Sequence, residues 1–208
     1  SIRSIHTQKI EKLLIVGCGK GLEAAILAQQ LGAEVTGIDL KDDFDRTAKQ
    51  FADLRAGDAK NLDFPDESFD YVFSYHALEH IDDPKLALRE MHRVLTKDGG
   101  FWIGTPNRSR ILGYIGSKDT TLSEKIRWNI ADWRTRLAGK FRNEFGAHAG
   151  FTSDELRGLI SESFSNVNGA TDQYFSTIYA NHPAIIKTIR SSKLSQLIYP
   201  SVYFLGTK

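Results

Sequence analysis

Leu13-Leu14-Ile15-Val16-Gly17-Cys18-Gly19-Lys20-Gly21 is the stretch that decides the fold. Four apolar residues in a row, ended by glycine, read as a short strand buried on both faces. The glycines that follow allow a sharp turn and a close backbone approach to a ligand. The chain then enters a helix: Leu22, Ala25 and Ile26 stand at helical spacing, and Gly32 ends the pattern. A buried strand, a glycine turn and a helix make the first half of a βαβ unit.

The same alternation continues outward from this stretch. Glu34-Val35-Thr36-Gly37-Ile38 reads as a second strand, followed by Asp39, and a polar helix is predicted over residues 43–50. Leu54-Arg55-Ala56 is a brief third strand, and residues 69–74, rich in Tyr, Val and Phe, a fourth. Residues 84–95 form a helix with proline in its first turn, Lys97-Asp98-Gly99-Gly100 a turn, and residues 101–105 a fifth strand. This order predicts a doubly wound, mostly parallel α/β sheet with right-handed crossovers and helices on both faces. In the second half, Thr152-Ser153-Asp154-Glu155 is an N-terminal capping pattern for a helix over 152–164. Residues 166–174 and 201–207 read as an antiparallel pair at the sheet edge. Residues 108–147 and 182–199 break the alternation and are read as helical insertions in a single domain spanning 1–208.

The 208 residues suffice to bury a core without disulfides, and with one cysteine, Cys18, no intramolecular disulfide can form. No apolar run is long enough to span a bilayer, and residues 1–9 lack the apolar region of a signal peptide, so a cytoplasmic location is expected. The net charge of +1 hides an asymmetry: residues 1–107 carry a net −5 and residues 108–208 a net +6. Either the two halves pair their surfaces or the second half meets something anionic.

Open α/β sheets bind ligands beyond the C-terminal ends of their strands. Three features fall there. Gly17, Gly19 and Gly21 follow the first strand with the spacing G-x-G-x-G, unlike the G-x-G-x-x-G of dinucleotide binders. Asp39 ends the second strand, where a carboxylate can accept hydrogen bonds from both hydroxyls of a ribose. Gly57-Asp58-Ala59 follows the third, where an acidic side chain can accept from an adenine amine.

In this order and spacing the chain resembles the class I S-adenosylmethionine-dependent methyltransferases, in particular the small-molecule branch that includes ubiquinone-biosynthesis enzymes. The resemblance covers roughly residues 12–107. It rests on the glycine stretch, Val35-Thr36-Gly37-Ile38-Asp39, Gly57-Asp58-Ala59 and Leu62-Asp63-Phe64-Pro65-Asp66-Glu67-Ser68-Phe69-Asp70. Further on it includes Ala77-Leu78-Glu79-His80-Ile81-Asp82-Asp83-Pro84, Arg93-Val94-Leu95-Thr96-Lys97-Asp98-Gly99-Gly100 and Gly104-Thr105-Pro106-Asn107. A weaker likeness continues over residues 148–156. The resemblance implies a seven-stranded sheet and S-adenosyl-L-methionine as cofactor. Gly17, Cys18, Gly19 and Gly21 would lie against its methionine and ribose, Asp39 with Leu40 beside it at the ribose hydroxyls, Asp58 and Ala59 at the adenine, and Tyr75 at the methionine end. One position departs from the family pattern. The acid usually found two places before the first glycine is Ile15, which removes one charge-assisted contact to the cofactor.

Methyl transfer from a sulfonium is an in-line displacement, so the protein mainly aligns the nucleophile; a base is needed only where the acceptor must lose a proton. His76, just beyond the fourth strand, and His148, before the helix start at Thr152, are the candidate catalytic residues. His80 is read as structural and Cys18 as a packing residue. Apart from His76 and His80, which straddle a loop-to-helix region, the histidines form no His-x-x-x-His pattern, and Cys18 has no cysteine partner, so no metal is expected. In the insertion, Ile126, Ile130, Trp133 and Leu137 fall on one helical face flanked by Arg127, Arg134, Arg136, Lys140 and Arg142. This helix packs on the sheet, closes as a lid over an anionic or aromatic small-molecule acceptor, or touches anionic lipid as a peripheral membrane contact. No recognition helix or aromatic strand pattern favours nucleic acid. Two other readings compete with methyl transfer: a nicotinamide-dependent oxidoreductase, and a non-catalytic cofactor-binding homologue suggested by Ile15.

Overall fold

The computed structural model describes residues 9–114, 120–181, 184, 187–189 and 195–208. One seven-stranded sheet runs through it. The strands are β1 (Lys12–Val16), β2 (Glu34–Asp39), β3 (Asp53–Ala56), β4 (Phe69–Tyr75), β5 (Leu95–Pro106), β6 (Ser165–Gly169) and β7 (Ser201–Thr207). Their spatial order is β3-β2-β1-β4-β5-β7-β6. The pairs β1–β2, β2–β3, β1–β4 and β4–β5 are parallel. The reversed strand is β7, antiparallel to both β5 and β6, so it lies one place in from the edge. The chain moves outward from β1 to β3 and returns to β4 on the other side of β1. The strand order therefore reverses between β1 and β4, which opens a crevice at their C-terminal ends.

Helices α1 (Leu22–Leu31), α2 (Pro84–Val94), α3 (Leu122–Leu137), α4 (Ser153–Ser161) and α5 (Thr171–Ile178) complete the fold. Alternation along β1 divides the core. Leu14 and Val16 join the layer under α2 and α4, with Leu88, Met91, Leu156 and Ile160. Leu13 and Ile15 join the opposite layer, with Ala24, Phe73, Phe175 and Tyr203. Caps fix where the helices begin. Asp83 accepts the Leu86 N–H at 3.0 Å ahead of Pro84, and Thr152 with Glu155 forms a capping box on α4. Such a cap contributes about 1 kcal/mol.

The structure corrects three local expectations. Only a turn of 3-10 helix, Ala48–Gln50, forms within residues 43–50. Asp45 holds the Thr47 and Ala48 N–H groups at 2.7 and 3.0 Å, so its side chain competes with a longer helix. The strand predicted over 166–174 ends at Gly169. Tyr174 and Phe175 belong to α5, where they pack against Tyr203; their β-propensity yields to burial. The turn over 97–100 is an irregularity inside β5, where Leu95 pairs Phe69 and Gly100 pairs Tyr71. Of the predicted stretch 182–199, residues 182–183, 185–186 and 190–194 lie outside the described residues, and Ser195–Ile198 form one helical turn. Among the described residues, no helix is long and apolar enough to cross a membrane.

Much of the motif-rich segment after β3 serves the fold. The Arg93 guanidinium donates to the Leu62 and Phe64 carbonyls and to Glu90 and Asp66, all at 2.7–2.8 Å. It thereby ties the loop after β3 to α2 and holds Ala59 toward the crevice.

Candidate active site

A cleft of about 420 Å³ opens at the C-terminal ends of β1, β2 and β4, within the ordinary range for a small-molecule site. Gly17, Gly19, Asp39, Leu40, Ala59 and His76, all singled out from the sequence, line it together. Gly17 has φ +77°, and its N–H donates to the Ile38 carbonyl at 2.9 Å. A β-carbon there would come within 2.2 Å of that of Ala77, so glycine is required for the turn to pass beneath the loop after β4. At Gly19, φ is +54° and a β-carbon would meet nothing within 4 Å. This open side of the backbone faces free space that a ligand can fill. The Asp39 carboxylate accepts the Gly19 N–H at 2.8 Å and the Lys41 N–H at 3.4 Å, so it is held at the cleft edge by the glycine loop itself.

The other predicted residues stand around this cleft rather than in its wall. Cys18 is buried beneath the loop with its sulfur toward Gly37, and burial next to Asp39 pushes its thiol up to about 12. It packs and does not ionise near neutral pH. Gly21 precedes α1 in the left-handed conformation. Asp58 accepts the Lys60 N–H at 2.9 Å. Tyr75 stacks between Phe73 and Tyr203, and burial raises its hydroxyl to about 12. Ile15 is buried in the core layer, 1% exposed, and does not reach the cleft.

His76 takes a positive φ of +53°, and its Nε2 lies 3.1 Å from Ser201 Oγ on β7. Burial, reinforced by the nearby positive Arg110 and by His148 and His80, lowers it to about 4. The ring is therefore neutral near pH 7. Three residues on, Glu79 is buried, with a side chain 1% exposed. Neither of its carboxylate oxygens accepts a hydrogen bond. Burial pushes it up to about 7, against the opposing pull of its own backbone N–H and of Arg110. His80 lies in the cleft wall, and its Nε2 is 3.9 Å from Glu79 Oε1. His148, from the far side of the insertion, meets the His80 ring edge to face with centroids 4.8 Å apart. His148 thus stands beside the cleft, next to His80, and outside its wall.

Arg110 makes this arrangement. Buried to 4% exposure, it donates to the Asn107, His148 and Ala149 carbonyls and to Asp132 on α3. One guanidinium joins the end of β5, the His148 segment and the insertion helix. Arg136 is also structural: it donates to the Arg110 carbonyl at 2.9 Å and its guanidinium lies 3.9 Å from the Phe141 ring centroid. Glu79 and His80 are the residues of this site that sequence reasoning did not select; the signal available was a carboxylate next to a histidine within the otherwise apolar stretch Ala77-Leu78-Glu79-His80-Ile81. A larger, open groove of about 710 Å³ between the insertion and α4 lies away from the strand ends and has none of the glycine loop.

Comparison with known proteins finds methyltransferases. Residues 14–103 match the methyltransferase domain family. Over that segment the chain is similar to methyltransferases. Demethylmenaquinone methyltransferase of Geobacillus kaustophilus is 36% identical over 112 residues, 49% of this chain and 47% of that protein. The chain thus matches about half the length of this curated relative. Among solved structures, phosphoethanolamine N-methyltransferase 2 of Haemonchus contortus aligns with 100% of this chain and 51% of its own, at TM-score 0.62 and 19% identity. A methyltransferase of Methanosarcina mazei aligns over 80% of this chain and 85% of its own, at TM-score 0.57 and 22% identity. At such identities these structures show the fold of the methyltransferase domain. Its sheet is the seven-stranded, mostly parallel one expected from the sequence.

Proposed function

We propose that this protein transfers a methyl group from S-adenosylmethionine to a small-molecule acceptor. The observation that carries this reading is the convergence of the glycine loop, Asp39 and Ala59 on one cleft at the reversal of strand order. The cofactor supplies an electrophilic methyl on a sulfonium. The open face at Gly19 admits its backbone-hugging part, Asp39 receives ribose hydroxyls, and Ala59 borders the base, with Asp58 behind it. His76, neutral and oriented by Ser201, faces the acceptor as a hydrogen-bond partner. His148 serves from outside the wall, and Tyr75 closes the methionine end from within its aromatic stack. Methyl transfer is favoured over the nicotinamide reading by the family match and by the G-x-G-x-G loop.

The acceptor we assign is an aromatic or quinone-like small molecule, in keeping with the name of the Geobacillus relative, demethylmenaquinone methyltransferase. The insertion contributes a surface for reaching it. Leu122, Ile126, Ile130, Trp133 and Leu137 of α3 are exposed, and Arg127 and Arg134 stand beside them. An apolar stripe with basic flanks fits an anionic lipid surface, and this orientation favours peripheral membrane contact over a lid closing with its apolar face.

Thermal melting with S-adenosylmethionine, S-adenosylhomocysteine and NAD in separate samples tests the main reading, because a ligand that binds only the native state stabilises it. The two adenosyl compounds are expected to raise the melting temperature and NAD to leave it unchanged; a rise with NAD alone would overturn the reading. Sedimentation with vesicles containing phosphatidylglycerol tests the surface. Binding is expected to be lost in Ile130→Ser/Trp133→Ser, and equal binding by that variant would refute it.

A further inference from the structure

The methionine part of S-adenosylmethionine carries an ammonium group, and a cation drawn out of water needs a charged or strongly polar partner. Strand β1 offers none: Ile15 is buried and apolar at the position where the resemblance leads to an acid. Other acids near the strand ends are engaged elsewhere. Asp39 accepts the Gly19 and Lys41 N–H groups, Asp45 those of Thr47 and Ala48, and Asp58 that of Lys60. Glu79 is buried in the turn after β4, its Oε1 4.0 Å from His76 Nδ1 and 3.9 Å from His80 Nε2.

Glu23 is placed differently. It lies in the first turn of α1, just beyond Gly21, and so stands at the height of the glycine loop. Residues four apart share a helix face, and Leu27, one turn further on, packs against the core layer of Ile15, Phe73 and Tyr203. Glu23 therefore stands over that layer, on the side of the strand C-terminal ends. Ile15 pairs with Phe73 across β1 and β4, and Tyr75 follows on β4, roughly 7 Å nearer the strand ends. Besides burial and Tyr174, the Glu23 charge raises the Tyr75 hydroxyl, so the carboxylate is near the end of β4. Glu23 is open to solvent, yet the chain around it raises its own carboxyl above the usual range. Solvent access together with partial desolvation describes a group that faces a concavity. Among the described residues it has no hydrogen-bond or ion-pair partner.

We propose that Glu23 receives the ammonium of the cofactor's methionine part and supplies, from α1, the negative charge that β1 lacks at Ile15. This role rests on the methyltransferase reading. Asp39 ends β2 and Tyr75 ends β4, on either side of β1. With the ribose at Asp39 and the methionine toward Tyr75, the cofactor crosses the glycine loop between them, and Glu23 meets its far end. The carboxylate thus recognises the amino-acid part of the ligand and not its adenosine. It binds and orients, and takes no part in the displacement.

The test is calorimetric titration of the parent protein and of Glu23→Gln with two ligands. One is S-adenosylhomocysteine; the other is methylthioadenosine, which shares the adenosine and lacks both the ammonium and the carboxylate. Glutamine keeps the side-chain shape and removes the charge. S-adenosylhomocysteine is expected to bind the variant about tenfold more weakly, from loss of a charge-assisted hydrogen bond. Methylthioadenosine is expected to bind it within about twofold of the parent. Unchanged S-adenosylhomocysteine affinity in the variant would overturn the Glu23 assignment and leave the methyltransferase reading intact. An equal loss with both ligands would also overturn it, because Glu23 would then support the loop and not the ammonium. A parent protein that binds neither ligand would refute the methyltransferase reading, and the role of Glu23 with it.

Discussion

Helices α2 and α3 are both amphipathic, yet the protein uses them in opposite ways. In α2, Leu88, Met91 and Val94 are fully buried against the sheet, and the charged face looks outward. In α3 no residue is buried, and Ile126, Ile130, Trp133 and Leu137 are 42–85% exposed. Its attachment is polar instead. Asn129 exchanges hydrogen bonds with the Gly113 backbone, Asp132 meets Arg110 and Tyr114, and the Trp133 indole N–H and Arg136 donate to the Ile111 and Arg110 carbonyls. One helix is held by burial of apolar area and the other by directional bonds to residues 110–114, one of them to the buried Arg110 guanidinium. The second arrangement leaves an apolar stripe free for a partner, and the difference is lost to any reading of hydrophobic period alone.

The comparison can be broken at its anchor. Arg110→Met removes the guanidinium from Asp132 and from three carbonyls, and removing one partner of a buried ion pair costs about 3–5 kcal/mol. Urea unfolding should show a loss of that size, accompanied by release of the His148 segment. A loss under about 1 kcal/mol would mean that α3 is held by something other than the Arg110 hub. Next comes Leu88→Ala in α2, expected to cost about 2–5 kcal/mol through the cavity it leaves. The matched change in α3, Ile130→Ser, should change stability by no more than about 0.5 kcal/mol, because the side chain is already in water. Equal losses at 88 and 130 would show that the two helices are held alike and that the outward face of α3 is covered.

The same contrast explains what was legible in the sequence. The βαβ half could be read because its strands and helices bury their apolar faces, so composition and period carry the structure. The glycine spacing, Asp39 and Ala59 converge as expected because they sit at successive strand ends, which the sheet fixes. The insertion helix was found by its period, but its orientation was not, since it depends on Arg110 and Asp132 meeting across 22 residues. Arg136, read as one of the basic flanks of the apolar face, is a donor within the insertion. The meeting of Glu79, His80 and His148 was hidden for the same reason: two members are local and the third is placed by tertiary contacts. Short polar competition at Asp45 and aromatic burial at Tyr174 account for the misplaced elements.

The most direct test of the cofactor cleft is calorimetric titration of S-adenosylhomocysteine into the parent protein and into Asp39→Ala. The account expects one site per chain and an affinity about ten- to a hundredfold weaker in the variant, from loss of hydrogen bonds to a charged group. Unchanged affinity in a variant that melts like the parent would contradict the placement of the ribose at Asp39, and with it the assignment of this cleft as the cofactor site.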